Sequence, residues 1–208
     1  MNLGLGLDTG GTYTDSVIMD FSTGEVLSKA KSLTTRDDLS KGIKESIDKL
    51  DQKLLDNVRL ISMSSTLATN SIVEGKGCSV GLISIGRDFD RSIPVDEYVR
   101  ISGGHTLSGK ESEPLDEKAA AEFMRSVHGK IDGLAIASYL SVRNPDHEKR
   151  VKALAKEILD VPVVCGHELS SNLGFNERTV TCIMNARLIP IIEDLIESVK
   201  QVMGDRGT

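Results

Sequence analysis

The sequence predicts an α/β fold built on a mixed β-sheet with flanking helices. Short apolar runs separated by turn residues fill the first 32 residues, and this pattern is typical of an antiparallel β-meander. Strand and helix patterns alternate after about residue 55, which favours strands joined by helices. Aromatic residues make up only 3% of the 208 residues and Trp is absent, so the predicted core is aliphatic.

The N-terminal meander contains three predicted strands. An apolar run at residues 3–8 ends in Asp8, and further strand candidates lie at residues 17–19 and 25–30. Residues 21–24 have the composition of a turn. The first strand therefore delivers a carboxylate at its C-terminal end.

The later elements follow from periodicity and capping residues. Thr35 with Asp38 resembles a capping box, and it precedes apolar residues at helical spacing. Residues 86–114 are interrupted by Gly and Pro, which predicts a functional loop or a small inserted subdomain. Pro190 is expected to kink or restart the last helix. The other predicted elements are strands at 60–64, 80–85, 133–137 and 161–164, and helices at 66–74, at 116–127, from Asn144 and Pro145, and from about residue 176.

The expected organisation is one domain over residues 1–203. Sub-lobes are expected at residues 1–85 and 86–175, followed by a C-terminal helix at residues 176–203. Residues 204–208 have the composition of a tail or a truncated linker.

Charge and cysteine usage exclude several classes. A net charge of −6 argues against nucleic acid as the main partner, because a phosphate backbone favours a basic surface. The three cysteines, Cys78, Cys165 and Cys182, lie far apart and predict reduced apolar side chains rather than disulfides or a metal site. No apolar run approaches the ~18 residues that span a bilayer, and no signal-peptide pattern opens the chain, so a cytoplasmic protein is expected.

Residues 8–15, Asp-Thr-Gly-Gly-Thr-Tyr-Thr-Asp, carry a phosphate-binding pattern. Gly10 and Gly11 form a tight turn between two strands, and glycine lets the backbone approach a phosphate without a Cβ in the way. Asp8 is placed to bind Mg²⁺, directly or through water, because hard cations prefer oxygen ligands. Asp15 is expected to orient a hydroxyl group or water. A plain hairpin turn with an Asx cap would satisfy the same residues.

Two commoner phosphate motifs are not met. The Rossmann pattern GxGxxG is absent around Gly4 and Gly6. Residues 104–110 match most of a P-loop, but Glu111 follows where Ser or Thr is required. No helix pattern opens after this segment to direct an N-terminus at a phosphate.

The turn at residues 8–15 resembles the first phosphate motif of the superfamily that contains sugar kinases, actin and Hsp70. Further segments, in order over about the whole chain, resemble the hydantoinase/oxoprolinase family: residues 12–15, 29–35, 65–74, 141–145, 166–170 and 185–190.

The resemblance implies an actin-like/ribonuclease H-like fold and an enzyme that uses ATP and Mg²⁺ to open a cyclic amide. The ring would be 5-oxoproline or a hydantoin, activated through a phosphorylated intermediate. The alternatives are a subunit of an ATP-dependent ketone carboxylase, a small-molecule kinase that shares only the first motif, and a non-catalytic actin-like half-domain.

The resemblance also assigns roles to residues of this chain. Asp8 and Asp15 match catalytic positions, with Asp8 also the Mg²⁺ ligand. Nucleotide-binding positions are matched by Thr9, Gly10, Gly11 and Thr12. Substrate-binding positions are matched by Thr66, Thr69, Asn70, Arg143 and His147, all of which could instead belong to capped helix starts. Arg143 is expected to neutralise a substrate carboxylate bidentately.

Partners follow from the same resemblance. Family members are much longer, and no second phosphate motif or adenosine-binding glycine cluster is found after residue 100. The chain alone is therefore expected to be inactive and to need a second subunit or a C-terminal domain. A homo-oligomer is compatible with the sequence, whereas nucleic acid and membrane are not expected partners.

Overall fold

The computed structural model describes residues 2–35, 37–67, 77–90 and 94–204. The strands in this part of the chain are β1 (Leu3–Thr9), β2 (Tyr13–Asp20), β3 (Glu25–Leu33), β4 (Val58–Ser65), β5 (Val80–Ile85), β6 (Glu97–Ile101), β7 (Gly104–His105), β8 (Glu111–Glu113), β9 (Gly133–Ser138) and β10 (Val163–Cys165). The helices are α1 (Leu39–Asp48), α2 (Gln52–Leu55), α3 (Glu117–Val127), α4 (Asp146–Ile158), α5 (Gly166–Leu169) and α6 (Phe175–Gly204). The predicted helix at 66–74 lies largely outside the described residues.

The chain divides into two compact units. The first comprises residues 1–76 and 191–208, and the second comprises residues 77–190. The expected boundary between sub-lobes at residue 85 differs from this division, because β5 pairs with β6 and β9 and so belongs to the second unit. Helix α6 contributes its first half to the second unit and its second half to the first.

The first unit is built on a mixed four-stranded sheet in the order β3-β2-β1-β4. The β1–β2 and β2–β3 pairs are antiparallel, as the meander predicts, and β4 is parallel to β1. One face of the sheet is buried because apolar residues alternate along β1. The core consists of Leu3, Leu5, Leu7, Ile18, Leu39, Ile43, Ile47, Leu50, Leu55, Leu195, Val199, Val202 and Met203.

The start of α1 differs from the predicted capping box. Asp38 is itself the N-cap, and its carboxylate accepts a hydrogen bond from Ser40 N at 3.1 Å. Thr35 instead donates to the Asp38 carbonyl oxygen at 2.5 Å and accepts from Gly42 N at 3.1 Å. The helix start was predicted at the right place, but the N-cap is Asp38 and not Thr35. Either residue type is a good N-cap, so the sequence does not distinguish them.

Gly4 in β1 serves packing. A Cβ at this position would overlap the ring of Phe21, which lies across it at the far end of the sheet. This contact, together with the absence of a Rossmann motif, indicates that Gly4 has a packing role and does not bind a phosphate.

The second unit contains a parallel four-stranded sheet in the order β10-β9-β5-β6. Strands β5 and β9 are buried along their whole length, as expected for a parallel sheet covered on both faces. Around one face lie α3 and α4, and the first half of α6 packs on β5, β9 and β10. Both sheets with their helices confirm the α/β fold class.

The described part of the segment at residues 86–114 contains three strands. Strand β6 extends the parallel sheet, and β7 and β8 pair as a short hairpin. Strand β6 was missed because its burial is partial and its sequence, Glu-Tyr-Val-Arg-Ile, is half polar. The prediction of a small inserted subdomain therefore applies only to the hairpin.

The predicted starts of the later helices agree with the structure to within a residue or two. Asp116 caps α3 by accepting from Ala119 N at 2.9 Å. Pro145 is the N-cap of α4, so the helix begins one residue later than predicted. The Asn144 side chain accepts from Asp146 N at 3.0 Å. Helix α6 passes through Pro190 as one continuous helix, so the predicted restart at that residue is wrong.

Candidate functional site

A row of polar side chains crosses the first sheet at the end where the glycine turn lies. Asp8 on β1 is the register partner of Asp15 on β2 and of Ser64 on β4. Asp15 is in turn the partner of Lys31 on β3. Because register partners project from the same face of a sheet, these four residues form one row across all four strands. We call this set the polar row.

Hydrogen bonding within the polar row holds Asp8. Ser64 Oγ donates to Asp8 Oδ1 at 2.8 Å. The other carboxylate oxygen of Asp8 has no hydrogen-bond partner among the described residues, and the side chain is exposed. Asp8 thus presents an oriented and accessible oxygen. Ser64 was not singled out in the sequence, although a polar residue at the end of a strand parallel to β1 is the signal that points to it.

Asp15 is paired with the one cation of the polar row. Lys31 Nζ lies 3.1 Å from Asp15 Oδ1 and 5.0 Å from the centroid of the Tyr13 ring. Two carboxylates directly opposite each other on adjacent strands repel, and Lys31 offsets the charge of only one of them. The polar row therefore retains an excess negative charge that a divalent cation would neutralise.

The glycine turn lies directly beyond this row. Gly10 N donates to Tyr13 O at 2.9 Å and closes the turn. A Cβ on Gly10 would lie 3.1 Å from that same carbonyl oxygen and 3.7 Å from Thr66 Oγ1. The role of Gly10 is therefore to keep the turn free of a side chain, because its N–H already donates a hydrogen bond within the turn. Gly11 follows it, half-buried.

The two threonines of the turn have different environments. Thr12 is exposed beside the glycines, whereas the Thr9 side chain is buried on the opposite face from Asp8. The Thr9 carbonyl oxygen accepts from Ser65 Oγ at 2.9 Å and from Thr66 N at 3.3 Å. This burial does not favour Thr9 as a hydroxyl donor to a phosphate, because residues on a strand alternate between faces.

Thr66 joins the turn at the end of β4. Its backbone bond to Thr9 brings its exposed hydroxyl beside Gly10. The structure thus places Thr66 beside the glycine turn, while Thr69 and Asn70 lie outside the described residues.

A cavity of about 230 Å³ lies against the polar row on the same face of the sheet. Its floor is Gly6, which has Val17 and Ser62 as register partners on either side. Asp8, Asp15 and Ser64 line its polar end. The absence of a side chain at Gly6 leaves room above the sheet next to the two carboxylates.

Arg143 and His147 lie in the second unit, Arg143 in the loop between β9 and α4 and His147 in the first turn of α4. Arg143 is exposed, and its guanidinium has no carboxylate partner in the part of the chain that the structure describes. His147 is fully buried, and its Nε2 donates to Glu111 Oε1 of the β7–β8 hairpin at 2.8 Å. Asn144 Nδ2 also donates to Gly109 O of that hairpin at 2.9 Å. Residues 144 and 147 therefore hold the hairpin, and the burial of His147 does not favour direct contact with a substrate.

His105 of the same hairpin packs against His147. Their ring centroids are 4.2 Å apart at an interplanar angle of 45°. Burial lowers the pKa of His105, and the charge of a protonated His147 lowers it further. In both rings Nδ1 is buried and has no hydrogen-bond partner among the described residues.

The chain matches the family model described as the hydantoinase/oxoprolinase N-terminal region over residues 4–91 and 85–159. It is 30% identical to caprolactamase subunit alpha of Pseudomonas jessenii over 98% of its own length and 34% of that protein. It is 29% identical to the acetophenone carboxylase gamma subunit of Aromatoleum aromaticum, over 88% of its length and 30% of that subunit. The chain thus spans about a third of the length of these relatives.

Two solved structures share the fold. A nucleotide-free acetone carboxylase superimposes over 100% of this chain and 35% of its own, with a TM-score of 0.80 at 21% identity. The ATP-dependent caprolactamase of Pseudomonas jessenii superimposes over 96% of this chain and 33% of its own, with a TM-score of 0.72 at 27% identity. None of the described helices is both long and apolar enough to cross a lipid bilayer.

Proposed function

Because this chain belongs to the hydantoinase/oxoprolinase family, as its N-terminal region, we propose that it carries half of the nucleotide site of an ATP-dependent enzyme that opens cyclic amides. The observation that supports this best is the polar row, which sets Asp8 and Asp15 side by side next to a glycine turn. Relatives named as caprolactamase and 5-oxoprolinase act on rings of this class.

The residues of the turn fit a magnesium-bound nucleotide. Asp8 offers an open carboxylate oxygen held in place by Ser64. Hard divalent cations select such oxygens beside substrate phosphates. Gly10 and Gly11 leave the turn without side chains, and the exposed hydroxyls of Thr12 and Thr66 flank it. The excess negative charge of the polar row makes a phosphate unfavourable there unless a cation binds with it.

When bound, MgATP would supply the phosphoryl group that activates the amide carbonyl oxygen. Asp8 would hold the cation, and Ser64 would keep its carboxylate oriented. Asp15, steadied by Lys31, would orient a water molecule or hydroxyl group at the edge of the cavity above Gly6. Most of the rate enhancement would come from positioning and charge neutralisation, as in other phosphoryl transfers.

The substrate contacts proposed for the second unit centre on Arg143. It is exposed and without a carboxylate partner among the described residues, so it suits a ring that bears a carboxylate, such as 5-oxoproline. His147 would support the loop that carries Arg143 from its buried contact with Glu111. Thr69 and Asn70 remain proposed substrate contacts on the strength of the sequence motif alone.

A second candidate is the corresponding subunit of an ATP-dependent ketone carboxylase. It is favoured by the 29% identity with the acetophenone carboxylase gamma subunit, which is nearly that with caprolactamase. Both candidates call for a further polypeptide segment or subunit. The relatives are themselves named as alpha and gamma subunits, and about two thirds of their length has no counterpart in this chain.

Phosphate release from MgATP by the full polypeptide, with any subunit that co-purifies, tests the proposal. A cyclic amide should stimulate release, and Asp8→Ala should reduce the stimulated rate by about a hundredfold or more because it removes the cation ligand. Glu25→Gln is the matched control, since it changes an exposed carboxylate at the far end of the same sheet. It should leave the rate unchanged.

The substrate panel separates the candidates. Stimulation by 5-oxoproline, a hydantoin or caprolactam identifies the amide hydrolase, whereas a requirement for a ketone with bicarbonate identifies the carboxylase. If an Asp8→Ala preparation keeps its full stimulated rate, the polar row is not the nucleotide site.

A further inference from the structure

A second polar centre lies at the C-terminal edge of the parallel sheet, which is where ligands usually bind in open α/β sheets. It is formed by Glu148 on α4 and His167 on α5, both in the second unit. The Glu148 side chain is fully buried, and that of His167 is 14% exposed. A buried carboxylate requires partners, and this one has several.

Glu148 holds the imidazole of His167 in one orientation. His167 Nδ1 donates to Glu148 Oε2 at 2.5 Å, and His167 N donates to the same oxygen at 2.9 Å. Ser138 N donates to Oε1 at 2.7 Å. The buried guanidinium of Arg178 donates to Ser138 O at 2.9 Å and lies close enough to Glu148 to interact with its charge. The carboxylate is therefore satisfied by the protein and is not left to bind a ligand itself.

This orientation fixes the chemistry of the other ring nitrogen. Because Nδ1 carries its proton toward Glu148, Nε2 of the neutral imidazole is a hydrogen-bond acceptor. Nε2 has no partner among the described residues. It belongs to a side chain that lines a cavity of about 230 Å³.

The cavity combines acceptor, donors and apolar walls. Ser141, Ser170 and Ser171 line it together with His167, while Val142 and Pro145 form its apolar part. Ser141 is 1% exposed, and its Oγ has no hydrogen-bond partner in the described part of the chain. At this size the cavity is below the roughly 300–1,000 Å³ of pockets for drug-sized ligands, so it suits a small molecule.

A metal ion fits this centre poorly. Glu148, Cys165 and His167 have ligand atoms within 4.8 Å of one another. However, Glu148 already accepts three hydrogen bonds, and His167 Nδ1 is the donor of one of them. Burial and the neighbouring Glu148 charge raise the pKa of the Cys165 thiol, which disfavours the thiolate that a metal would need.

We propose that this cavity binds the cyclic amide itself, with the ring N–H donating to His167 Nε2 and a serine hydroxyl donating to the ring carbonyl oxygen. The methylene groups of the ring pack against Val142 and Pro145. A ketone has the carbonyl oxygen but no N–H, so it leaves His167 Nε2 unpaired, and the site selects amides over ketones. The identity of the ligand as an amide rests on the proposed function.

Binding to the full polypeptide without ATP tests this inference. Caprolactam, 5-oxoproline and a hydantoin serve as amide probes, and acetone and acetophenone as ketone probes. In the wild-type protein, nitrogen NMR of the histidine rings should show the His167 Nε2 resonance moving when an amide is added and staying still with a ketone. This measurement needs no variant and so does not depend on a variant folding.

A variant then measures the contribution of Nε2. In His167→Asn the side-chain amide can replace the Nδ1 donor to Glu148 but places no acceptor in the cavity, so the amide Kd should rise about tenfold. His128→Asn is the matched control, because His128 is an exposed histidine at the end of α3. It should leave the Kd unchanged.

The outcomes separate this inference from the proposed function. If amides stimulate phosphate release but neither move the His167 resonance nor lose affinity in His167→Asn, the cavity is not the amide site and the proposed function stands. If amides bind at His167 but stimulate no phosphate release in any preparation, the cavity assignment stands and the ATP-dependent hydrolase is wrong. Equal binding of ketones at His167 would overturn the selectivity.

Discussion

At the scale of single residues, the candidate nucleotide site brings two carboxylates unfavourably close together. Asp8 and Asp15 are register partners on adjacent strands, so their charges repel. Lys31 and Ser64 moderate this repulsion without removing it. Such a pair is retained at little cost where a cation binds between protein and substrate, which is the role proposed for the polar row.

The histidine pair of the β7–β8 hairpin gives a pH prediction at the same scale. His105 is buried against His147, with Asp146 and Glu111 nearby. Burial, followed by the His147 charge, lowers the pKa of His105 below the ordinary value of 6.5, while Asp146 and Glu111 act in the opposite direction. The unfolded chain therefore binds a proton at a higher pH than the folded chain does.

It follows that this contribution to stability is fully present above about pH 6.5 and is lost as the pH falls through the folded pKa. We expect the free energy of unfolding, measured by urea titration, to fall between pH 7.5 and pH 5.5. His105→Gln should reduce that dependence, and His128→Gln should not. An unchanged dependence in His105→Gln would show that other groups cause the acid sensitivity.

At the scale of elements, close backbone approach decides where glycine is required. Gly133 opens β9, and a Cβ there would lie 2.6 Å from the Ala186 carbonyl oxygen of α6. Helix α6 can therefore pack on β9 only because this position has no side chain. The buried Cys182 of the same helix donates from Sγ to Val164 O at 3.1 Å, which ties α6 to β10 as well.

Gly133→Ala should accordingly destabilise the protein by about 1–3 kcal/mol, the usual cost of overpacking. The obstacle is backbone, which cannot rotate away as a flexible side chain would. Gly204→Ala is the matched control, because a Cβ at the end of α6 meets nothing within 4 Å. Chemical denaturation of the two variants beside the wild type measures the difference, and equal stabilities would show that the helix shifts at no cost.

At the scale of the whole molecule, the chain consists of two compact units of different design. One unit has a mixed sheet with the polar row, and the other has a parallel sheet with the buried Glu148–His167 pair. Each unit has its own core, and the chain passes between them near residues 76 and 190. The two proposed functions, nucleotide phosphate binding and amide binding, thus belong to separately packed parts of the chain.

The whole-molecule prediction concerns activity. The chain spans about a third of its relatives and contains one glycine turn of the phosphate-binding type in its described part. We expect the 208-residue polypeptide alone to release phosphate from MgATP at no more than about a hundredth of the rate seen with the complementary subunit or domain. Full turnover by this polypeptide alone would show that the nucleotide site is complete within it.

Local patterns in the sequence were sufficient for the fold class, for most strands and helices, and for the glycine turn with Asp8. Strand alternation and helical spacing are set by neighbours in sequence, so β1, β5, α3 and β9 were predicted to within one or two residues. The N-cap of α1 was not predicted correctly, because Asp38 and Thr35 are both suitable N-caps. Only the packed helix shows that Asp38 takes this position. The family was also determined at this level, because its motifs are contiguous.

Only the tertiary structure decided which residues share a site. Asp8 meets Ser64 through a parallel strand pair 56 residues apart, and His167 meets Glu148 across 19 residues through the packing of α4 and α5 on the sheet. The burial of Thr9 and His147 likewise depends on which face of an element is covered. Register and burial arise from contacts between segments that are far apart in the sequence. A sequence pattern does not show which of those segments come together.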